Sequence, residues 1–129
     1  MAEPGEGFYP YQAPIEAYGN GGFRFAGMSH RGSLLCLPTG MHRWGPTKAA
    51  EITPESLAPV FACAADLDVL LIGLGTDIAG LDPAIRDRLR ADRVIVEAIA
   101  TGGAVRTYNI LLGESRAVGA ALIAVERAR

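Results

Sequence analysis

Residues 69–125 read VLLIGLGTDIAGLDPAIRDRLRADRVIVEAIATGGAVRTYNILLGESRAVGAALIAV, and their punctuation decides the fold. Val69–Gly73 is an unbroken apolar run, the pattern of a strand buried on both faces. Asp82-Pro83 opens a short helix, with proline where its missing N–H costs nothing. Ile85 and Leu89, four apart, give that helix its apolar stripe. Val94–Glu97 is the next strand. Thr101–Leu112 is a helix with Val105, Tyr108 and Leu112 on one face and Gly102, Arg106 and Asn109 on the other. Gly113 stops it, and Val118–Val125 is the last strand. The order is β-α-β-α-β, for which parallel strands joined by right-handed helical crossovers are expected.

Upstream, Thr53-Pro54-Glu55 starts a helix whose stripe is Leu57, Val60, Phe61 and Ala64. Pro59 requires either a kink there or a helix whose main body begins there. Residues 39–52 read as a connection containing Trp44. Residues 15–37 read as an antiparallel meander. Ile15–Tyr18 is a strand, Gly19–Gly22 a turn, and Phe23-Arg24-Phe25 alternates as a half-buried strand. Gly27 suggests a bulge and His30-Arg31-Gly32 a second turn. Ser33–Leu37 is apolar on both faces and therefore central, and Pro38 ends it. Residues 1–14, rich in Pro, Gly and Glu, read as a flexible tail that Phe8, Tyr9 and Tyr11 could tack onto the body. Residues 15–129 then form a single α/β domain, in keeping with a length of 129 residues.

Half of the residues are hydrophobic and the mean hydropathy is +0.21. That is apolar for a chain of this size, and the excess could cover a partner surface. The apolar runs fall short of the ~20 residues a membrane-spanning helix needs. The N-terminus lacks the basic and apolar regions of a signal peptide. These features point to a cytoplasmic, bacterial protein. With 12 basic and 14 acidic residues, net charge −2, nothing steers the chain toward nucleic acid. Cys36 and Cys63 read as buried, reduced thiols.

The chemistry-bearing candidates are few. Gly73-Leu74-Gly75-Thr76-Asp77 follows a strand and Glu97 ends the next, the outline of a dinucleotide fingerprint. Ile78 stands where a third glycine belongs, the helix opens only at Asp82, and Asp77 and Asp82 would repel a phosphate. A tight strand-to-helix connection is the favoured reading. Thr101-Gly102-Gly103 would present free amides at a helix start, where an anion can bind, with Arg106 adding charge. The competing reading is a solvated polar face. Taken together, Gly73, Gly75, Thr76, Glu97, Thr101, Arg106 and Asn109 would gather at the C-terminal edge of the parallel strands, where open α/β sheets bind ligands.

Arg86, Arg88, Arg90 and Arg93 interleave with Asp82, Asp87 and Asp92 and read as a solvated, self-neutralising face. His30 and His42 have no acid or thiol at metal-ligand spacing, so no metal site is expected. Ser33 lies in no G-x-S-x-G elbow. No catalytic residue and no cofactor is assigned. Trp44 and Arg24 are candidates for a partner contact, Trp44 because tryptophan is enriched at interfaces; the alternative for Trp44 is an anchor filling the top of the core.

Six stretches in order carry a resemblance. They are Tyr18–Phe25, Gly32-Ser33-Leu34-Leu35 to Pro38, Trp44, Leu70–Gly75, Arg106–Leu112 and Ala120–Val125. Over roughly residues 15–125 the chain resembles the domain of unknown function 498 family, which includes a mitochondrial complex I assembly factor and an adipogenesis-associated protein. The resemblance implies a three-layer α/β fold with a central mixed sheet, and involvement in assembling the membrane-bound NADH dehydrogenase. It implies no catalytic residue. It leads us to expect Thr between the two glycines, where this chain has Leu74, and Ala and Cys ahead of Arg106, where it has Gly103 and Val105. Each change removes a polar or reactive group.

Two readings of function follow. The first is a non-enzymatic interaction module whose partners are respiratory-complex or insertion-machinery subunits, peripheral to the inner membrane through them, with a homodimer left open. The second is a small-molecule or anion-binding domain with a pocket at the C-terminal edge of the parallel strands, with enzymatic use of that pocket as a weaker extension.

Overall fold

The computed structural model describes residues 8–76 and 80–128. In chain order the elements are β1 (Phe8–Tyr9), β2 (Ala17–Gly19), β3 (Gly22–Phe25), β4 (Met28–Arg31), β5 (Ser33–Leu37) and β6 (Gly40–Trp44). There follow α1 (Ala58–Ala62), β7 (Val69–Gly73), α2 (Pro83–Ala91), β8 (Ile95–Ile99), α3 (Thr101–Gly113) and β9 (Val118–Leu122). Short 3-10 turns at Ala49–Glu51, Glu55–Leu57 and Ala64–Asp66 punctuate the segment between β6 and β7.

Six strands form one mixed sheet in the order β1-β6-β5-β9-β7-β8, and β2-β3-β4 form a separate antiparallel sheet. β7 is parallel to both β8 and β9, whereas β9 meets β5 antiparallel. The expected β-α-β-α-β half is therefore β7-α2-β8-α3-β9. Alternation along the strands divides the core in two. Leu35, Leu37, Leu70, Ile72 and Ala121 pack against Leu57 and Val60 and, from α2, Ile85 and Leu89. Leu34, Cys36, Leu71, Ala120 and Leu122 pack against Ala104, Val105 and Tyr108 of α3 and against Phe23 and Phe25 of the small sheet. The result is three layers, with the mixed sheet in the middle.

Several elements depart from the sequence reading. Gly40–Trp44 is a strand rather than a connection, paired with Ser33–Leu37 through a hairpin at Pro38-Thr39. Its period is hidden because Met41 and Trp44 enter opposite cores while His42 and Arg43 separate them. The segment from Phe8 to Pro14 is anchored, not a tail, while residues 1–7 lie outside the described residues. Phe8 and Tyr9 pair with His42 and Met41, and the Phe8 ring lies 4.9 Å from that of His42. Pro10 and Pro14 deny the segment long regular structure, yet its aromatic rings give it surface to bury.

Gly27 is not a bulge. Ala26 and Gly27, with φ of 50° and 75°, make the tight turn between β3 and β4, matching Asn20 and Gly21 at 52° and 75° in the preceding hairpin. His30 and Arg31 end β4, and the chain reverses at Gly32. α1 begins at Ala58, so Pro59 falls in its first turn and kinks nothing. Thr53 and Ser56 cap the preceding turn reciprocally, each side-chain oxygen accepting from the other's N–H. β9 ends at Leu122, and residues 123–128 continue past the sheet to the small sheet, where Asn20 and Gly21 donate to Glu126 and Val125.

Candidate functional site

β7 and β9 are adjacent and parallel, but the chain leaves them in different directions. After β7 it returns on the face covered by α2. After β9 it runs to the small sheet on the opposite face. Such a divergence opens a crevice at the carboxyl ends of the strands. Thr101, the first residue of α3, lies under that crevice and is fully buried. Its Oγ1 donates to the Ile123 carbonyl at 2.7 Å and accepts from the Gly75 N–H at 3.0 Å. Its own N–H donates to the Gly75 carbonyl at 3.0 Å. A single residue thereby ties both strand ends to the helix start. Gly73 permits this approach, because a Cβ there would stand 2.9 Å from Thr101 Oγ1 and 3.1 Å from Leu122 Cδ2.

Above the clasp is an open cleft of about 560 Å³, whose lining includes Thr47, Lys48, Gly75, Thr76, Ala124 and Glu126. Leu74 and Ile123 also border it and are buried. Glu51 braces one wall by accepting from the N–H and Oγ1 of Thr47, at 2.7 and 2.9 Å. Those bonds hold its carboxyl below the usual range. Among the described residues no Ser, Cys or His lines the cleft; its polar side chains are those of Thr47, Lys48, Thr76, Glu126 and Arg127.

The residues proposed from sequence are only partly gathered here. Gly75 and Thr76 line the cleft, and Gly73 and Thr101 lie beneath it. Asp77 and Ile78, part of the fingerprint reading, lie outside the described residues. The Gly75 amide, which a dinucleotide site would aim at phosphate, is already held by Thr101. Glu97 is exposed in the middle of β8, two strands from β9. Arg106 is exposed partway along α3. Asn109 faces the small sheet, where its Oδ1 accepts from Ile15 N–H at 2.8 Å and its Nδ2 donates to the Ile15 carbonyl at 2.9 Å. Next to it Tyr108, fully buried, donates to the Ala13 carbonyl at 2.7 Å.

The Tyr108 hydroxyl adjoins the Cys36 thiol. Burial pushes both groups well above their ordinary values, so both are neutral and unreactive at neutral pH. Burial, helped by the charge of Asp66, also raises Cys63. Among the described residues no buried side-chain N or O lacks a hydrogen-bond partner. Trp44 is in the core, 5% exposed, with Nε1 donating to the Ser56 carbonyl at 2.8 Å; this corrects its reading as a surface contact. Arg24 is exposed on β3 and donates to Ser29 Oγ at 2.7 Å. His30 Nε2 is 2.9 Å from the Ser33 carbonyl, and Ser33 Oγ accepts from Ala124 N–H at 3.0 Å.

The sequence profile described as "Protein of unknown function (DUF498/DUF598)" matches residues 15–123. The chain belongs to this family. An uncharacterized protein of Rhodobacter capsulatus is 42% identical to this DUF498 chain over 110 residues, covering 85% of the chain and 83% of the relative. The mouse NADH dehydrogenase (ubiquinone) 1 alpha subcomplex assembly factor 3 is 29% identical over 115 residues, 89% of the chain. The match spans 62% of the mouse protein's length. A crystal structure described as an outer membrane protein from Bartonella henselae superposes with a TM-score of 0.87 at 47% identity, over 92% of this chain and 99% of that one. Among the described residues no helix is long and apolar enough to cross a membrane.

The departures of this DUF498 chain from the expected pattern have structural counterparts. Leu74 is buried in the α2-side core. Val105 is buried against the sheet. Gly103 lets Ile99 approach, since a Cβ there would lie 3.1 Å from Ile99 Cδ1. Sequence reasoning missed the grouping of the arginines. Arg86, Arg90 and Arg93, spaced by four and three, line a second cleft with Val94, Ile95 and Val96. Arg88 turns away, its guanidinium 3.8 Å from the Phe61 ring centre. Helical spacing was the available signal, obscured by the interleaved aspartates.

Proposed function

We propose that this chain is a non-enzymatic protein-interaction module acting in the assembly of a membrane-bound respiratory complex. The observation that carries this reading is the likeness to complex I assembly factors along 89% of the chain. The chemistry of the fold supports it. Of the polar residues weighed as site candidates, Thr101 and Asn109 are committed to internal backbone bonds, as is Tyr108 beside them. Catalysis needs a nucleophile or base with a free partner position. The chain works in the cytoplasm and reaches the inner membrane through its partners, with Arg24 part of the surface it offers them.

The test is affinity capture of the tagged chain from native membranes and cytosol, with bound proteins identified by mass spectrometry. Recovery of NADH dehydrogenase or insertion-machinery subunits is expected. Recovery of nothing above the tag control overturns the reading.

The cleft at the ends of β7 and β9 favours a second reading, a small-molecule binding domain. Its position at the divergence of two parallel strands is where α/β sheets hold ligands, and its volume suits one. Native mass spectrometry of the purified chain decides this reading: a retained small molecule, lost when Thr76→Trp fills the cleft from an exposed lining position, supports it, and a bare chain mass sinks it.

A further inference from the structure

β8 is the last strand of the mixed sheet and pairs with β7 only, so its other edge meets no strand among the described residues. Ile95 N–H donates to Asp68, and the Ile99 carbonyl accepts from Leu74. Both residues therefore direct their backbone toward β7. Backbone direction alternates along a strand, so Val96 and Ala98 aim theirs outward. The 3.5 Å contact from Arg86 Nη1 to the Val96 carbonyl fits that direction and is too long to be a strong bond. Natural sheets usually blunt such an edge, and an unblunted one is a template for another strand. Here Ile95, 66% exposed, leaves an apolar side chain beside it.

Beside the same edge is the cleft of about 340 Å³ lined by Arg86, Arg90, Arg93 and Val94–Val96. Among the described residues no acidic side chain lines it. Asp82 is spent capping α2 through the Ala84 N–H, and Asp87 and Asp92 are not among the lining residues. Three arginines thus line a cleft beside outward-facing backbone, on the sheet face that carries α2. On the opposite face the edge presents Ile95 and, two residues on, the exposed carboxylate of Glu97.

We infer that the β8 edge is the docking site for an extended acidic segment of a partner protein, which adds to the sheet as a further strand. Backbone bonds to Val96 and Ala98 supply register, and alternate side chains supply specificity. Carboxylates on one face of the segment meet Arg86, Arg90 and Arg93, where charge-assisted bonds are strongest. On its other face an apolar side chain meets Ile95, and no carboxylate of the segment stands opposite Glu97. A second copy of this chain fits worse, because two-fold pairing of β8 with itself would bring both arginine groups together. This assignment rests on the protein-interaction reading and names the surface and the partner chemistry it needs.

The experiment titrates the full chain with a fluorescent synthetic peptide of alternating Glu and Val, and with its Lys and Val counterpart, following anisotropy and the amide resonances of Val96 and Ala98. The acidic peptide is expected to bind and to shift both amides. The Arg90→Glu/Arg93→Glu variant, both positions exposed, is expected to weaken binding by at least about tenfold, with its urea midpoint confirming the fold. Ala98→Pro, which removes an outward N–H at an edge strand, should do the same. No binding of the acidic peptide, equal binding of the basic one, or indifference to the arginine reversal overturns the site. A dimer in sedimentation that Ile95→Lys dissociates also overturns it, in favour of a second copy. Affinity capture with the reversed variant separates the two failures. Partners recovered equally by variant and parent leave the interaction reading standing and remove this surface. Peptide binding without any captured partner does the opposite.

Discussion

Asn109 holds Ile15 as a neighbouring strand would, accepting from its N–H and donating to its carbonyl across 94 residues of chain. With Tyr108 bonded to the Ala13 carbonyl, one turn of α3 fixes the whole approach of the N-terminal segment to the small sheet. The polar face that resembled an anion site from sequence is in this part a backbone clamp.

Asn109→Ala should lower unfolding free energy by about 2 kcal/mol, since both polar groups of a part-buried peptide lose their partner. Asn109→Asp keeps the acceptor for the Ile15 N–H and sets a carboxylate against its carbonyl, so it should not rescue. Urea denaturation gives the stability, and faster amide exchange confined to Ile15 and its neighbours would locate the effect. Uniform exchange across the chain would contradict a local clamp.

Thr101→Val retains the shape and removes the hydroxyl. The Gly75 N–H and Ile123 carbonyl would then be buried without this bond, at a cost of about 2–4 kcal/mol for two stranded groups. Thr101→Ser keeps the oxygen and should lose less than half as much. Equal losses in the two variants would show that the methyl, not the hydroxyl, matters.

Trp44 is the sole tryptophan and is buried in the α2-side core. Its emission should be blue-shifted and poorly quenched by acrylamide, moving to the red on unfolding. Trp44→Phe should cost about 1–3 kcal/mol through lost volume and the unpaired Ser56 carbonyl. Native emission typical of a solvated indole would refute its burial.

Alkaline stability follows from Tyr108, Cys36 and Cys63. Burial raises all three above their ordinary values of 10.0, 9.0 and 9.0. Above about pH 9 the unfolded chain releases protons that the folded chain retains, so it binds fewer and stability falls as pH rises. Below that window the contribution is fully present. Urea midpoints should be level in these groups' contribution from pH 7 to about 8.5 and then decline. Cys36→Ala combined with Cys63→Ala should postpone the decline to about pH 10, and an unchanged onset would dismiss the thiols as its source.

The C-terminal half was legible because its signals are local. An apolar run such as Val69–Gly73, a proline at a helix start and the four-residue spacing of Ile85 and Leu89 need no distant partner to be read. Gly40–Trp44 escaped because its two anchoring side chains enter opposite cores, leaving no alternation on one face. The anchored segment at Phe8–Pro14 showed in the sequence only as aromatic residues able to tack a tail down, because composition reports backbone propensity, while Tyr108, Met41 and His42 supply its binding surface. Trp44 could be read as an anchor or a contact, and only the position of Ser56 distinguishes them.

By itself the sequence determined the kind and order of most elements, the parallel β-α-β-α-β half and the family, since periodicity and turn chemistry act over a few residues. Tertiary structure decided what each polar group does. A helical pattern says that Arg106, Tyr108 and Asn109 differ in facing, but not that Ile15 and Ala13 await two of them. It lists Arg86, Arg90 and Arg93 among aspartates, but folding sets those arginines over the open edge of β8. Hydrogen bonds and charge fields depend on distances of a few ångströms between atoms remote in the chain, and those distances exist only once the sheet has closed.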